Sequence, residues 1–217
     1  MMPAPTRTLE RPPSARDPGT PAIGGRGPDG TGGDALAGTP ATTPARIAVW
    51  LLVGAITVLF AAFTSTYLVR RGEADWRVGP LPPVLWVTTG ILLGSSIALE
   101  LARRHGRRGA MAGLRTWLTV TTLLGLAFLA GQLLAWRQLV AAGVYLSSYP
   151  HSSFFYLLTG AHGLHLAGGI GALLYAVRRA PAAATAAAAL DVADPVAAYW
   201  HFLTGLWIYL FVILFAL

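Results

Sequence analysis

The sequence predicts an all-α fold: an integral membrane bundle of five transmembrane helices preceded by a disordered N-terminal tail. Three observations predict it. Of the 217 residues, 54% are apolar and only 12% charged, about half the ~25% typical of soluble domains. Five apolar runs, residues 47–69, 84–102, 116–136, 154–177 and 196–217, each approach the roughly 20 residues that cross a bilayer. And of sixteen basic and nine acidic side chains, Glu100 alone falls inside a run. Backbone groups in hydrocarbon must be paired within the segment, so each run is predicted to be a helix.

Residues 1–45 are a different material. Seventeen of them are proline or glycine, and apolar residues are few and scattered. Such a segment cannot bury enough surface to offset its ordering entropy, so it reads as a disordered tail ahead of a membrane domain at 46–217. It lacks the apolar core of a secretory signal, which makes the first helix an uncleaved signal-anchor. The five helices then follow in order. Residues 180–189, mostly alanine after Pro181, read as a low-complexity loop with partial helical character. There is no internal repeat, and five spans leave no room for a separate soluble domain.

Composition excludes several chemistries. There is no cysteine, so disulfides, thiolate metal sites and cysteine nucleophiles are ruled out. All sixteen basic residues are arginine, which removes Schiff-base chemistry and any P-loop lysine. The net charge of +7 does not point to nucleic acid here, because the arginines flank membrane spans. Twelve of them (in the tail, at 103–115 and at Arg178 and Arg179) lie on one side, against four at Arg70, Arg71, Arg77 and Arg137. The positive-inside rule therefore places the N-terminus in the cytoplasm and the C-terminus outside, in a bacterial-type plasma membrane.

Few side chains in the spans could do chemistry, and intramembrane polar groups are functional candidates by default. His162 and His165 lie on the fourth helix and His201 near the predicted start of the fifth. A membrane cytochrome b would need two facing histidines at one depth. At about 1.5 Å per residue, His201 is expected roughly 10 Å shallower than His165, which argues against a shared haem. The expectation for His162 and His165 is hydrogen bonding across helices. Glu100 precedes Arg103 and Arg104 at i+3 and i+4, the spacings at which a carboxylate meets a guanidinium, so an interfacial ion pair or a lipid contact is expected. Gln132 suits an interhelical hydrogen bond. Trp50, Tyr67, Trp86, Trp117, Trp136, Tyr175, Tyr199 and Trp200 lie near span ends, as in an aromatic belt. On the fourth helix Thr159, Gly163 and Ala167 form a small-residue stripe beside Gly160, Leu164 and Gly168. Such stripes let backbones approach closely, which makes this helix the expected centre of the bundle. No cluster of titratable groups converges into a catalytic site.

Two runs carry a resemblance. Phe154-Phe155 through Thr159-Gly160-Ala161-His162-Gly163-Leu164-His165, and Tyr199-Trp200-His201-Phe202 followed by Trp207, resemble in order and spacing the signature helices of haem-copper oxidase subunit III. Gln132 to Trp136, Gly143-Val144-Tyr145 and Ile91 to Ser96 agree with the same family, and the likeness spans about residues 46–217. It resembles the short five-helix bacterial form. The resemblance implies a non-catalytic accessory subunit with no cofactor of its own. Haem and copper would sit in the partner subunit I, with subunit II and membrane lipids as further partners and no nucleic acid. The implied role is to stabilise the catalytic subunit of a proton-pumping terminal oxidase fed by cytochrome c, and to support proton uptake and lipid binding.

The chain departs from the family pattern at three places. The two additional N-terminal helices of longer members, which frame a lipid cleft, are missing. Thr57 and Thr204 stand where many members carry acidic residues. Alternatives are a subunit III-like component of a quinol oxidase or nitric oxide reductase, the membrane cytochrome b, and a small transporter. The transporter would need helices broken by proline near the midplane, whereas the prolines here are expected in the tail and loops.

Overall fold

The computed structural model describes residues 44–74, 76, 79 and 81–216; the tail expectation for residues 1–43 lies outside the described residues. Five helices follow in order: α1 Pro44–Arg71, α2 Val84–Arg107, α3 Met111–Ala141, α4 Pro150–Arg179 and α5 Ala186–Ala216. All five are long and apolar enough to cross a membrane. At 24–31 residues they exceed the ~30 Å hydrocarbon layer, so their end turns reach the headgroups. Arginines occupy the last turns of α1, α2 and α4, where positive charge offsets the free carbonyls.

The turns explain the stops. Gly109 and Gly143 have φ of +74° and +76°, the left-handed conformation that glycine adopts without strain. After each, the chain folds back to close its helix: Ala110 N–H donates to His105 O and Val144 N–H to Leu139 O, both at 2.9 Å. These bonds satisfy carbonyls that a helix end otherwise leaves open. The start of α4 is fixed by Pro150 and by Ser152, whose Oγ accepts the Tyr149 N–H at 3.2 Å.

α2 and α3 form the closest pair, and α5 packs against α1, α2 and α4. The centre of the bundle is α5 rather than α4: half of the apolar stretch of α5 is buried, against 39% for α4 and 17% for α1. α1 is thus peripheral, lying on α4 and α5.

α5 also begins ten residues before the predicted Val196. Alanine has the highest helix propensity, and the Thr185 hydroxyl accepts the Ala188 N–H at 3.2 Å. The alanine run therefore becomes the first turns of α5, and Asp191 and Asp194 move from a loop onto a helix. Pro195 then lies inside α5, which corrects the expectation that prolines stay in the tail and loops. Tyr67, Tyr199 and Trp200 are buried core residues and not belt residues, whereas Trp50, Trp86 and Tyr175 are exposed.

Candidate functional site

A polar seam joins α2 to α5. The Trp207 indole N–H donates to Thr89 Oγ1 and that of Trp200 to Ser95 Oγ, both at 3.0 Å. His201 Nδ1 meets Ser96 Oγ at 2.5 Å. Arg103 Nε donates to Asp194 Oδ1 at 2.8 Å. On α2 the steps Thr89, Ser96 and Arg103 are seven residues apart, and so are Asp194 to His201 and Trp200 to Trp207 on α5. Seven residues are close to two turns, so each set stays on one face. Numbers rise on α2 as they fall on α5, as antiparallel helices require.

The hydroxyls can serve both helices at once. Thr89 Oγ1 donates back to Leu85 O at 2.7 Å and Ser95 Oγ to Leu92 O at 2.6 Å, which leaves oxygen lone pairs for the indoles. Each indole is buried, so its N–H needs such an acceptor. The same packing explains the glycines that matter. A Cβ at Gly125 of α3 would lie 2.6 Å from the Trp200 ring, and one at Gly169 of α4 would lie 3.2 Å from Trp200 and Leu203. A Cβ at Gly131 would collide with Thr88.

At the arginine-rich end the seam closes in charge. Arg103 Nη1 donates to Glu100 Oε2 at 2.9 Å, and Arg104 Nε lies 3.5 Å from Glu100 Oε1. Arg103 also holds Asp194, which Arg46 of α1 approaches at 3.9 Å. Three helices therefore meet in one network. The role of Asp194 escaped the sequence argument because residue 194 fell outside the predicted span. Its position seven residues before His201 was the available signal.

On α4, Thr159 donates to Phe155 O at 2.6 Å and accepts the Trp136 indole N–H at 3.1 Å. His162 is wholly buried, its ring 5.1 Å from Trp207 and 6.0 Å from Phe128. Neither of its nitrogens has a hydrogen-bond partner among the described residues. His165 Nδ1 bonds Ala161 O on its own helix at 2.7 Å, and its ring contacts Phe60 of α1. The expected cross-helix histidine bonds are therefore replaced by ring packing and a local bond. Tyr199 instead supplies the crossing, donating to His165 O at 3.2 Å. Gln132 donates to Thr88 across α3 and α2 at 3.4 Å. Phe154 packs edge-on against Tyr67, and Phe202 lines a groove against α1.

The predicted small-residue stripe turns from inside to outside along α4: Thr159 is buried, Gly163 half-buried and Ala167 exposed. Beside it Leu164 is 74% exposed, and a Cβ at Gly168 would meet nothing within 4 Å. Gly160 and Gly163 would make only ordinary contacts, with Trp136 at 3.5 Å and Leu129 at 4.0 Å. The earlier start of α5 does not bring His201 level with His165: Gly169 of α4 faces Trp200 and Leu203, and His162 lies on Trp207, so His201 stays nearer the arginine-rich end. The histidines differ also in direction, His201 toward α2, His162 toward α3 and α5, and His165 toward α1. Among the described residues no group of three or more His, Asp or Glu side chains could hold a metal.

Two apolar grooves flank α1. One, about 410 Å³, is lined by Val49, Leu52, Gly168, Tyr175 and Tyr199 among others. The other, about 400 Å³, runs past Thr57, Phe60, Phe202 and Tyr209.

The family model for cytochrome c oxidase subunit III matches residues 76–217. The chain belongs to the cytochrome c oxidase subunit III family. A probable cytochrome c oxidase subunit 3 of Mycobacterium tuberculosis (strain H37Rv) is 33% identical over 172 residues, 77% of this chain and 84% of the relative. Its counterpart in Nocardia farcinica is 33% identical over 168 residues, 75% and 82% of the two chains. A cytochrome c oxidase subunit 3 of Alkalihalophilus pseudofirmus is 31% identical over 177 residues, 76% and 83%. The chain is thus an accessory subunit of a haem-copper oxidase and a multi-pass membrane protein, which places it in a complex with other oxidase subunits. α1 precedes the family match, although relatives covering 77% of the chain must align ahead of Trp76. Among the residues that carry the resemblance, Trp200, His201 and Trp207 form the seam, and Thr159 and Trp136 tie α4 to α3. Thr57 and Thr204 bond their own helices at Val53 O and Trp200 O.

Proposed function

We propose that this subunit works by packing rather than by chemistry of its own, stabilising the catalytic subunit of a proton-pumping oxidase fed by cytochrome c. The observation that carries the proposal is how the signature residues are used. Trp200, His201, Trp207, Thr159 and His162 are taken up by contacts with other helices of the same chain. Haem and copper belong, on this proposal, to subunit I, with subunit II as a second partner and no nucleic acid involved. The chain sits in a bacterial-type plasma membrane with its N-terminus in the cytoplasm. The stretch before α1 lies on that side, ahead of the membrane domain. The grooves beside α1 suit acyl chains. The ion-paired cluster of Glu100, Arg103 and Arg104 lies on the cytoplasmic side, where protons are taken up and anionic headgroups gather.

Co-purification tests this directly. A tagged chain extracted in mild detergent is expected to bring down a partner with haem and copper absorbance, together with bound phospholipid detectable by mass spectrometry. A chain that purifies alone under conditions that keep the oxidase active overturns the proposal.

A further inference from the structure

A second polar cluster lies at the opposite end of α1 from the Arg46 contact, and the seam does not use it. Tyr67 near the end of α1, Trp76 in the α1–α2 connection and His151 in the first turn of α4 stand as a triangle. Their ring centroids are 5.1, 5.6 and 6.4 Å apart, and Phe154 closes one side against Tyr67 and Trp76. Tyr67 and His151 are buried at 0% and 2% exposure. The Tyr67 hydroxyl, the Trp76 indole N–H and His151 Nε2 are each buried and have no hydrogen-bond partner among the described residues. Thr64 Oγ1, one turn before Tyr67, shares that condition. Such atoms on three neighbouring rings are unusual, since the large majority of buried side-chain polar atoms are paired to protein or ordered water.

The chemistry of the three rings is complementary. His151 Nε2 can accept or donate according to the tautomer, since a neutral imidazole carries one N–H and one acceptor nitrogen. Trp76 can only donate, and Tyr67 can do either. One donor and two groups that can each donate or accept are what a single water molecule satisfies, as buried waters typically make about three hydrogen bonds. We propose that the Tyr67–Trp76–His151 junction binds one structural water, which ties the end of α1 to the α1–α2 connection and α4. The site matters because α1 is otherwise the least buried helix of the bundle. The proposal does not depend on which oxidase the subunit serves.

The test is a density map of the intact purified oxidase complex, fine enough to show ordered solvent. The expected result is a single peak within about 2.6–3.2 Å of at least two of Tyr67 Oη, Trp76 Nε1 and His151 Nε2. A map from Tyr67→Phe should keep the peak, while Trp76→Phe combined with His151→Phe should lose it. Direct bonds among the three side chains with no peak between them overturn the proposal. So does elongated density continuous with a lipid or detergent chain. The unaltered complex alone decides between these results, so a variant that fails to assemble does not protect the idea.

Discussion

The slot around His162 suits a ring, not a hydrogen-bonding group. An unpaired buried polar atom costs about 1–3 kcal/mol, and here two ring nitrogens are unpaired between Trp207 and Phe128. His162→Phe is therefore expected to leave the thermal midpoint of the solubilised complex unchanged or higher. His162→Ala opens a hole and should cost about 2–4 kcal/mol. A lowered midpoint for the phenylalanine variant would mean that the nitrogens bond something beyond the described residues. The glycines give a matched pair. Gly125→Ala drives a methyl into Trp200 and should cost about 1–3 kcal/mol by overpacking. Gly168→Ala meets open space and gains helix propensity, so it should be neutral or mildly stabilising in the same melting assay. Equal losses at the two positions would contradict this account of the packing.

The α2–α5 pair owes its register to four polar contacts, and these are separable by experiment. Trp200→Phe removes the bond to Ser95 and should lower stability by about 1 kcal/mol; in Ser95→Ala the same change should cost less. For Arg103 and Asp194, a double-mutant cycle is expected to give a coupling on the order of 1 kcal/mol. Arg104 and Glu100, longer at 3.5 Å and more exposed, should give less. Zero coupling at Arg103–Asp194 would remove the charged end of the seam. At this scale much was legible in the sequence. Helix existence followed from hydropathy, because lipid leaves the backbone no alternative, and Glu100 with its arginines followed from spacing along one helix. What was not legible depended on partners far apart in the chain. Trp200 and Tyr67 read as belt residues because composition gives position along a helix but not direction around it. The start of α5 was missed because a hydropathy window undervalues an alanine run carrying two aspartates, and that error concealed Asp194.

Across the whole molecule, arginine asymmetry predicts the topology. A reporter active only outside the cytoplasm, fused after Leu217, is expected to be active, and an inactive fusion with a normally assembled complex would reverse the assignment. The same fusion with Arg103, Arg104, Arg107 and Arg108 replaced by glutamine tests whether those residues set the orientation or serve another purpose. The seam has a further consequence, for synthesis. Its two helices are separated by 78 residues of chain, and α2 leaves the ribosome long before α5. Until α5 arrives, Ser95, Ser96 and Arg103 stand on α2 without the partners they were built for. A chain truncated before Ala186 thus keeps the Arg103–Glu100 pair and the Ser95 bond to Leu92 O within α2, but lacks every bond that crosses to α5. Completion of the last helix, rather than insertion of the first four, is the event that pairs these groups.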